Sequence, residues 1–363
     1  MKKKKLILLV LVCALTAAAL TCFLICRALA SGLDSQTAAE RWAGESEMPF
    51  AQLSCFMGSK DNIAPGNIYA FRQSLEKKLT EASLEAPADT RLYSDAWSAV
   101  GDVRVTGDHG SSDAAVTAVG GSFFRFHPLR LLSGSYISEE DMMDDRVVLD
   151  RELAWRLFGG EELEGMTVTL GADPRPYVIA GVVEREQDFA SKKAHAGGMG
   201  LYMSFRAYSA LSAGGSGGAS GSGGAVIDCY ELVMPQPVKG FAEGIVKEGL
   251  GLQDGEVLNN TGRFGVPALW SILRSFGSRS MHLTNVRYPY WENAARCVED
   301  WCVLFFALAL VFAAIPALMA AGMGLVGLIR LKDYLGKKLP ALASDTVERH
   351  RRKRWQGGAH LKR

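Results

Sequence analysis

Residues 119–184 read VGGSFFRFHPLRLLSGSYISEEDMMDDRVVLDRELAWRLFGGEELEGMTVTLGADPRPYVIAGVVE and hold the densest run of turn, strand and helix signals in the chain. Gly120-Gly121 and Ser133-Gly134 are turn signals on either side of an apolar run. Residues 146–149 are short and mostly apolar, which predicts a β-strand that stops at Asp150. The stretch therefore predicts a compact unit that mixes strands and helices.

A helix and a hairpin are predicted after that strand. Asp150 is placed to cap the helix, and Gly159-Gly160 ends it because glycine tolerates left-handed backbone. One face of the helix carries the apolar residues Leu153, Ala154, Leu157 and Phe158. Residues 166–170 alternate in polarity and residues 177–183 are apolar, so with the turn sequence Gly-Ala-Asp-Pro between them they predict a β-hairpin.

Six short motifs follow one another in this region: Gly121-Ser122-Phe123-Phe124, Leu131-Leu132-Ser133-Gly134, Val147-Val148-Leu149, Leu153-Ala154 to Leu157-Phe158-Gly159, Gly165, and Val178-Ile179-Ala180-Gly181-Val182-Val183. Their order and approximate spacing resemble the extracytoplasmic core domain of MacB-like ABC transporter permeases, part of the FtsX-related superfamily. The resemblance covers roughly the middle of the chain. Together with two apolar spans near the chain ends, it predicts an α+β extracytoplasmic domain of two subdomains, one inserted in the other, between two transmembrane helices.

Composition narrows the class of protein. The 363 residues suffice for one sizeable domain plus membrane segments, or for two small domains. A net charge of +1 argues against nucleic acid as a general partner. The seven cysteines are dispersed and form no CxxC pair, so no metal site is predicted, and a disulfide between Cys55 and Cys229 is left open.

The first predicted transmembrane helix covers residues 6–28, after a lysine-rich cytoplasmic N-terminus at residues 1–5. A membrane anchor and a signal peptide both fit this pattern. Ala28-Leu29-Ala30 resembles a cleavage site, but the apolar region of a signal peptide is usually about 7 to 15 residues. Arg27 also separates the apolar run from that site. We therefore expect an uncleaved anchor.

The second predicted transmembrane helix covers residues 301–329, which carry no charged residue. Pro316 predicts a kink within it. Small residues recur on one face and predict close packing against another helix: Ala313, Ala317, Ala321 and Gly324. The alternative is an alanine-rich anchor without a specific packing face.

Charge at the chain ends predicts the orientation in the cell membrane. Residues 330–363 hold many more basic than acidic residues, and basic segments favour the cytoplasmic side. We expect a two-pass protein with both termini cytoplasmic and residues 31–300 outside. From Tyr290 the helical spacing of Trp291, Ala294, Ala295, Val298 and Trp301 runs directly into the second span. Such a helix is suited to carry force, and the alternative is interfacial anchoring by its Trp and Tyr residues.

The strand and helix signals outside residues 119–184 predict how the two subdomains are connected. Residues 49–57 and 226–234 are predicted strands, and the predicted helices are residues 67–84 and 239–250. If these early and late segments pair, the piece at about 119–210 is an inserted subdomain. The Gly/Ser-rich run at 213–225 cannot bury apolar surface and predicts a loop.

Catalytic and ligand-binding motifs are weak throughout the sequence. There is no Walker A pattern, so we do not expect the chain to hydrolyse ATP. Ser216 stands in a GxSxG match that lies in low complexity, and the external histidines His109, His127, His195 and His282 are each isolated. The acidic residues at 139–145 are better explained as a solvated loop than as a cation site. We assign no catalytic, cofactor-binding or metal-ligating residue and no cofactor.

The resemblance implies a function that the motifs alone do not. It implies a non-enzymatic membrane subunit of an ABC-type export or mechanotransmission system, coupling a partner ATPase to the extracytoplasmic domain. The implied partners are the membrane, a separate ABC ATPase and a further permease subunit, in an oligomer or hetero-complex. The family's usual permease has four spans, so the last two spans and the usual ATPase contact are expected to be lacking. The alternative is a membrane-anchored extracytoplasmic binding or sensing protein without transport activity.

Overall fold

The structure is a computed structural model that describes residues 2–44, 46, 48–84, 91–141, 143–195, 198–214, 224–279 and 286–358. Ser216, His282 and most of the Gly/Ser-rich run lie outside these residues. The chain divides into two compact units, one formed by Met1–Ile25 with Phe305–Arg363 and the other by Cys26–Leu304. All described strands belong to the second unit.

Helices account for most of the first unit and surround the sheet of the second. The described helices are α1 Lys2–Ser31, α2 Ala38–Ala43, α3 Pro65–Glu81, α4 Phe123–Phe126, α5 Arg151–Phe158, α6 Phe189–Ala194, α7 Phe205–Gly214, α8 Phe241–Leu250, α9 Val266–Arg279 and α10 Tyr290–Gly358. Two stretches within α1 and α10 are long and apolar enough to cross a membrane, Leu6–Ser31 and Tyr290–Leu335. Helix α10 therefore extends well past the predicted end of the second span at residue 329.

The sheet has ten strands among the described residues: β1 Phe50–Phe56, β2 Ser94–Gly107, β3 Gly110–Gly121, β4 Arg130–Gly134, β5 Arg146–Asp150, β6 Thr167–Leu170, β7 Asp173–Glu184, β8 Gly200–Ser204, β9 Cys229–Pro235 and β10 Glu256–Asn259. Their order is β10-β1-β9-β2-β3-β8-β5-β7-β4, and β6 pairs with both β2 and β7. The β3–β8 and β5–β7 pairs are parallel, and the others are antiparallel.

Strand pairing joins the beginning and the end of the external region. Strand β9 lies between β1 and β2, with Ala51 opposite Met234 and Ser94 opposite Val233. Strands β4 to β8 come from the intervening chain and occupy the other end of the sheet. The long β2–β3 hairpin spans both halves. The second unit is thus a mixed α/β domain. The strands of one half of its sheet, β4 to β8, lie in the sequence between strands of the other half.

Successive side chains of each strand point to opposite faces of the sheet, and helices pack on both faces. Trp97 and Val105 of β2 face one side, where α3 and α8 cover one half of the sheet and α5 the other. Ala96 faces the opposite side, which is covered by α4 and by Trp291 at the start of α10. Each fully buried Leu or Phe side chain contributes about 1.5–3 kcal/mol relative to exposure.

Most local signals in the opening stretch are confirmed. The Asp150 carboxylate accepts a hydrogen bond from the Leu153 amide at 2.7 Å, which caps α5, and Gly159 ends the helix with φ +73°. The predicted hairpin is β6–β7. The turns predicted at Gly120-Gly121 and Ser133-Gly134 are both wrong. The first pair ends β3, which pairs with β2, and the second belongs to β4, which pairs with β7. Gly134 has φ +72°, and a Cβ atom there would overlap the Ala180 carbonyl.

Candidate coupling site at the start of helix α10

The first turns of α10 pack on the β-domain through a stripe of buried side chains. Its members are Trp291, Ala294, Ala295, Val298 and Cys302. Four of these five were predicted from the helical spacing. Trp301, the fifth residue of the predicted stripe, is partly exposed, because the helical repeat brings Cys302 rather than Trp301 onto the buried face.

Arg263 links the turn after β10 to α10 by three short hydrogen bonds within two ion pairs. Its Nη1 and Nη2 atoms donate to the two carboxylate oxygens of Glu292, each at 2.7 Å, and its Nε donates to Glu299 Oε1 at 2.6 Å. The three side chains are only 6%, 1% and 8% exposed. Glu292 and Glu299 are two helical turns apart, so both reach the same guanidinium from one face of the helix.

The chemical environment keeps Arg263 charged. Burial alone opposes the charge, but the carboxylates of Glu292 and Glu299 more than compensate and raise the pKa of Arg263 above its ordinary value. The side-chain oxygens of Gln36 and Asn260 also accept from Nη1, at 3.1 and 3.3 Å. Removing one partner from such a buried pair leaves an uncompensated charge and costs about 3–5 kcal/mol.

Arg296 extends the same network to strand β10. Its Nε donates to Glu292 Oε1 at 2.7 Å and its Nη2 to Glu256 Oε2 at 2.9 Å. The guanidinium also stacks over the Tyr288 ring at 3.9 Å, and the Tyr288 hydroxyl donates to Glu256. A cavity of about 720 Å³ opens beside these charges, with α9 on its far side. Helix α10 is therefore attached to β10 through Arg296 and to the turn after β10 through Glu292 and Glu299.

A second set of contacts joins α10 to the opposite half of the sheet. The Tyr290 hydroxyl donates to Glu186 Oε1 at 3.1 Å and lies 3.3 Å from the Tyr202 hydroxyl of β8. Trp291 packs against the His127 ring, with 4.3 Å between the ring centroids. The start of α10 thus contacts groups from both halves of the sheet.

The last turn of α1 meets α10 within the same unit. The Cys26 thiol donates to the Cys302 carbonyl at 3.4 Å, and the Cys302 thiol donates to the Cys26 carbonyl at 3.6 Å. Both side chains are buried. The extracytoplasmic end predicted for α1 is thereby held against the first turns of α10.

The other residues singled out in the sequence do not join this site. Cys55 and Cys229 are free thiols that belong to the cores on opposite faces of the sheet, so the disulfide left open by the sequence is not formed. Ala313, Ala317, Ala321 and Gly324 are exposed on α10 in the first unit, and their packing role stays a prediction. No cluster of potential metal ligands occurs among the described residues.

Residues of the acidic run and Asn259 of β10 form polar contacts within the fold. Glu139 binds Arg72 at 3.2 Å, and Asp144 binds Arg206 at 3.3 Å. Asn259 donates to Glu243 at 2.7 Å. Sequence inspection missed Arg263, because nothing adjacent to it in the chain marks it as buried.

Comparison with known proteins gives one family and several solved structures. Residues 54–227 match the family model of the MacB-like periplasmic core domain. The chain is similar to the periplasmic region of MacB from Actinobacillus actinomycetemcomitans, with 18% identity over 58% of this chain and 89% of that one, and a TM-score of 0.41. It is also similar to the extracellular domain of the ABC-type transporter YknZ from Gram-positive bacteria, with 13% identity over 58% and 100% of the two chains and a TM-score of 0.38. No curated protein sequence gives a significant match.

Proposed function

We propose, from the match of residues 54–227 to the family model of the MacB-like periplasmic core domain, that this chain is a non-enzymatic membrane subunit of an ABC-type export or mechanotransmission system. A separate ATPase hydrolyses ATP on the cytoplasmic side and changes the tilt or position of α10. The extracytoplasmic domain follows that movement and acts on cargo or on an external partner.

One observation supports this proposal most strongly, the buried attachment of α10 through Arg263. A helix held only by apolar contacts slides or rotates at modest cost, since such contacts are non-directional. Here, displacement of α10 breaks the paired contact between Arg263 and Glu292 and leaves each of the two charges buried without the other. Movement of α10 is therefore passed to the turn after β10 and to the sheet.

The proposed arrangement in the membrane follows from the two apolar helices and the basic tail. Residues 31–300 lie outside the cell membrane, and both termini are cytoplasmic. The contact with the ATPase is supplied by the basic tail or by a further permease subunit in a hetero-complex.

Purification of the full chain tests the partner directly. The chain, tagged at its C-terminus and expressed with its chromosomal neighbours in the native host, is extracted in a mild non-ionic detergent, and co-purifying proteins are identified by mass spectrometry. An ABC ATPase is expected in near-stoichiometric amount. An unrelated two-pass membrane protein with the same tag is the control for adventitious binding. Recovery of the intact chain without any ABC ATPase contradicts the proposal.

A second candidate function is a membrane-anchored binding or sensing protein, favoured by a pocket that α10 does not line. The two candidates differ in their dependence on the cytoplasmic segment. Deleting residues 336–363 abolishes ATPase recovery if the tail supplies the contact, whereas a sensor of external ligands keeps its ligand binding unchanged.

A further inference from the structure

A small pocket in the β-domain lies apart from the start of α10. Its volume is about 340 Å³, within the range of small-molecule sites. It is formed where α2 and α4 pack beside β9, and its apolar walls are the side chains of Trp42, Phe124, Phe126 and Val233. Two cations, Arg41 and Arg125, also line the pocket, and none of the described residues that line it carries a carboxylate.

Arg41 is held in place by oxygen atoms that carry no full charge. Its Nη1 donates to the Asp34 carbonyl at 2.6 Å and to Thr37 Oγ1 at 2.7 Å. Its Nη2 donates to the carbonyls of Arg125 and Phe126, at 2.9 and 3.1 Å. These bonds fix the guanidinium in place. Burial lowers the pKa of Arg41 below its ordinary value, and the nearby charges of Asp34 and Glu40 offset this only in part.

Arg125 supplies the second charge. Its guanidinium lies over the Trp42 ring at 6.0 Å from the centroid, which orients it by a cation–π contact. Within the described part of the chain, neither Arg41 nor Arg125 forms an ion pair with a carboxylate. The same Arg125 and Trp42 also line a wider neighbouring cleft, in which Asp95 and Glu139 are both bound by Arg72.

We propose that this pocket binds a small amphipathic organic anion. The aromatic walls accept an apolar body, and Arg125, assisted by the fixed positive charge of Arg41, binds a carboxylate, sulfonate or phosphate group. Guanidinium groups match such oxyanions in geometry and form charge-assisted hydrogen bonds with them. This inference does not depend on ATPase coupling, because none of the pocket residues belongs to α10.

Binding is measured by isothermal titration calorimetry on the full chain in a non-ionic detergent, with empty micelles as the blank. The probe is naphthalene-2-sulfonate, and naphthalene-2-sulfonamide is its uncharged counterpart of similar shape. The wild type is expected to bind the sulfonate at one site and the sulfonamide at least about ten-fold more weakly, because hydrogen bonds to charged groups are the stronger ones.

Variants distinguish the contribution of the Arg125 charge to binding from that of the apolar walls of the pocket. Arg125→Gln is expected to weaken sulfonate binding about ten-fold and to leave sulfonamide binding unchanged, while Arg125→Lys keeps part of the affinity. Arg104→Gln, which removes an exposed arginine on β2, is the matched control. The melting temperature of each variant is measured alongside; Arg125 is exposed, so no loss of fold is expected. Absence of sulfonate binding to the wild type, equal binding of both probes, or an unchanged affinity in Arg125→Gln overturns the proposal.

Discussion

His127 Nε2 lies 2.5 Å from Glu231 Oε2, and the two side chains are 0% and 3% exposed. The residues are 104 positions apart in the sequence and come from the segment after α4 and from strand β9. The His127 ring is stacked on Phe123 at 4.5 Å and contacts Trp291 of α10. A buried polar pair thus stands between the sheet and the start of α10.

Replacing His127 by leucine is expected to destabilise the protein by about 3–5 kcal/mol, because Glu231 is left buried without its main partner. Thermal unfolding of the full chain in detergent measures the effect. The double variant His127→Leu/Glu231→Leu should recover a large part of the loss, since both polar groups are then removed together. His109→Leu, at an exposed position, is the control. A single variant as stable as the wild type would rule out the pair as a structural contact.

Glycine at position 134 is required by close backbone approach. Gly134→Ala places a Cβ atom against the Ala180 carbonyl at a residue with φ +72°, so a destabilisation of more than about 2 kcal/mol is expected. Gly160→Ala is the matched control, since nothing lies within 4 Å of the added Cβ atom there. Chemical unfolding curves of the two variants compare them. Equal midpoints would mean that β4 does not pair with β7 as described.

The carboxylate of Glu186 predicts a dependence of stability on pH. Burial alone raises its pKa, but the hydrogen bonds from His195 and from the backbone amide of Glu186, together with electrostatic interaction with His195 and His127, lower it below the ordinary value of 4.5. A lowered pKa in the folded state means that the unfolded state binds more protons in this window. The stabilisation is therefore complete above pH 4.5 and is lost as the pH falls through the lower folded value.

The variant Glu186→Gln tests this pH dependence. It should be less stable than the wild type by about 1–2 kcal/mol near pH 6, and the difference should shrink as the pH is lowered below 4.5. Melting temperatures between pH 3 and pH 6 provide the measurement, with the exposed Glu164→Gln as control. A difference that stays constant over this range would show that ionisation of Glu186 is not involved.

The paired thiols Cys26 and Cys302 predict a specific cross-link. Treatment of the full chain with copper-phenanthroline and dioxygen should join them, each thiol losing one electron and one proton. Peptide mass spectrometry without reduction identifies the product, which should vanish in Cys26→Ser and in Cys302→Ser. No Cys55–Cys229 product is expected, because these thiols face opposite sides of the sheet. The reverse pattern would contradict the arrangement of α1 and α10.

Local chemistry explains which parts of the fold were predictable. Asp150, Gly159 and the β6–β7 hairpin are specified by neighbours in sequence, since caps and turns depend on a few adjacent residues. The stripe on α10 was predictable in the same way from its 3.6-residue period. The turn predicted at Ser133-Gly134 failed because glycine serves close strand approach as well as turns.

The coupling site could be predicted only in part. Arg263 and Glu292 are 29 residues apart, and His127 and Glu231 are 104 apart, so no local pattern connects them. Charged residues are usually exposed, and Arg263 stands between Gly262 and Gly265. The local sequence therefore favours a turn at the protein surface rather than a buried ion pair. The pocket with Arg41 and Arg125 was missed for the same reason, because the two arginines are 84 positions apart and belong to no single motif.

Hydrogen exchange in the turn that contains Arg263 measures the proposed coupling most directly. The complex of the full chain with its ATPase is compared with and without ATP and vanadate, for the wild type, for Arg263→Lys and for the control Arg104→Lys. Lysine keeps the charge at position 263 but loses the paired contact to Glu292.

In the wild type and the control, nucleotide trapping is expected to change exchange in residues 256–265. In Arg263→Lys that change should fall by at least about half, because the stiff two-point contact is lost, while ATP hydrolysis continues. A wild-type complex whose residues 256–265 do not respond to nucleotide, or an undiminished response in Arg263→Lys, would contradict coupling through α10.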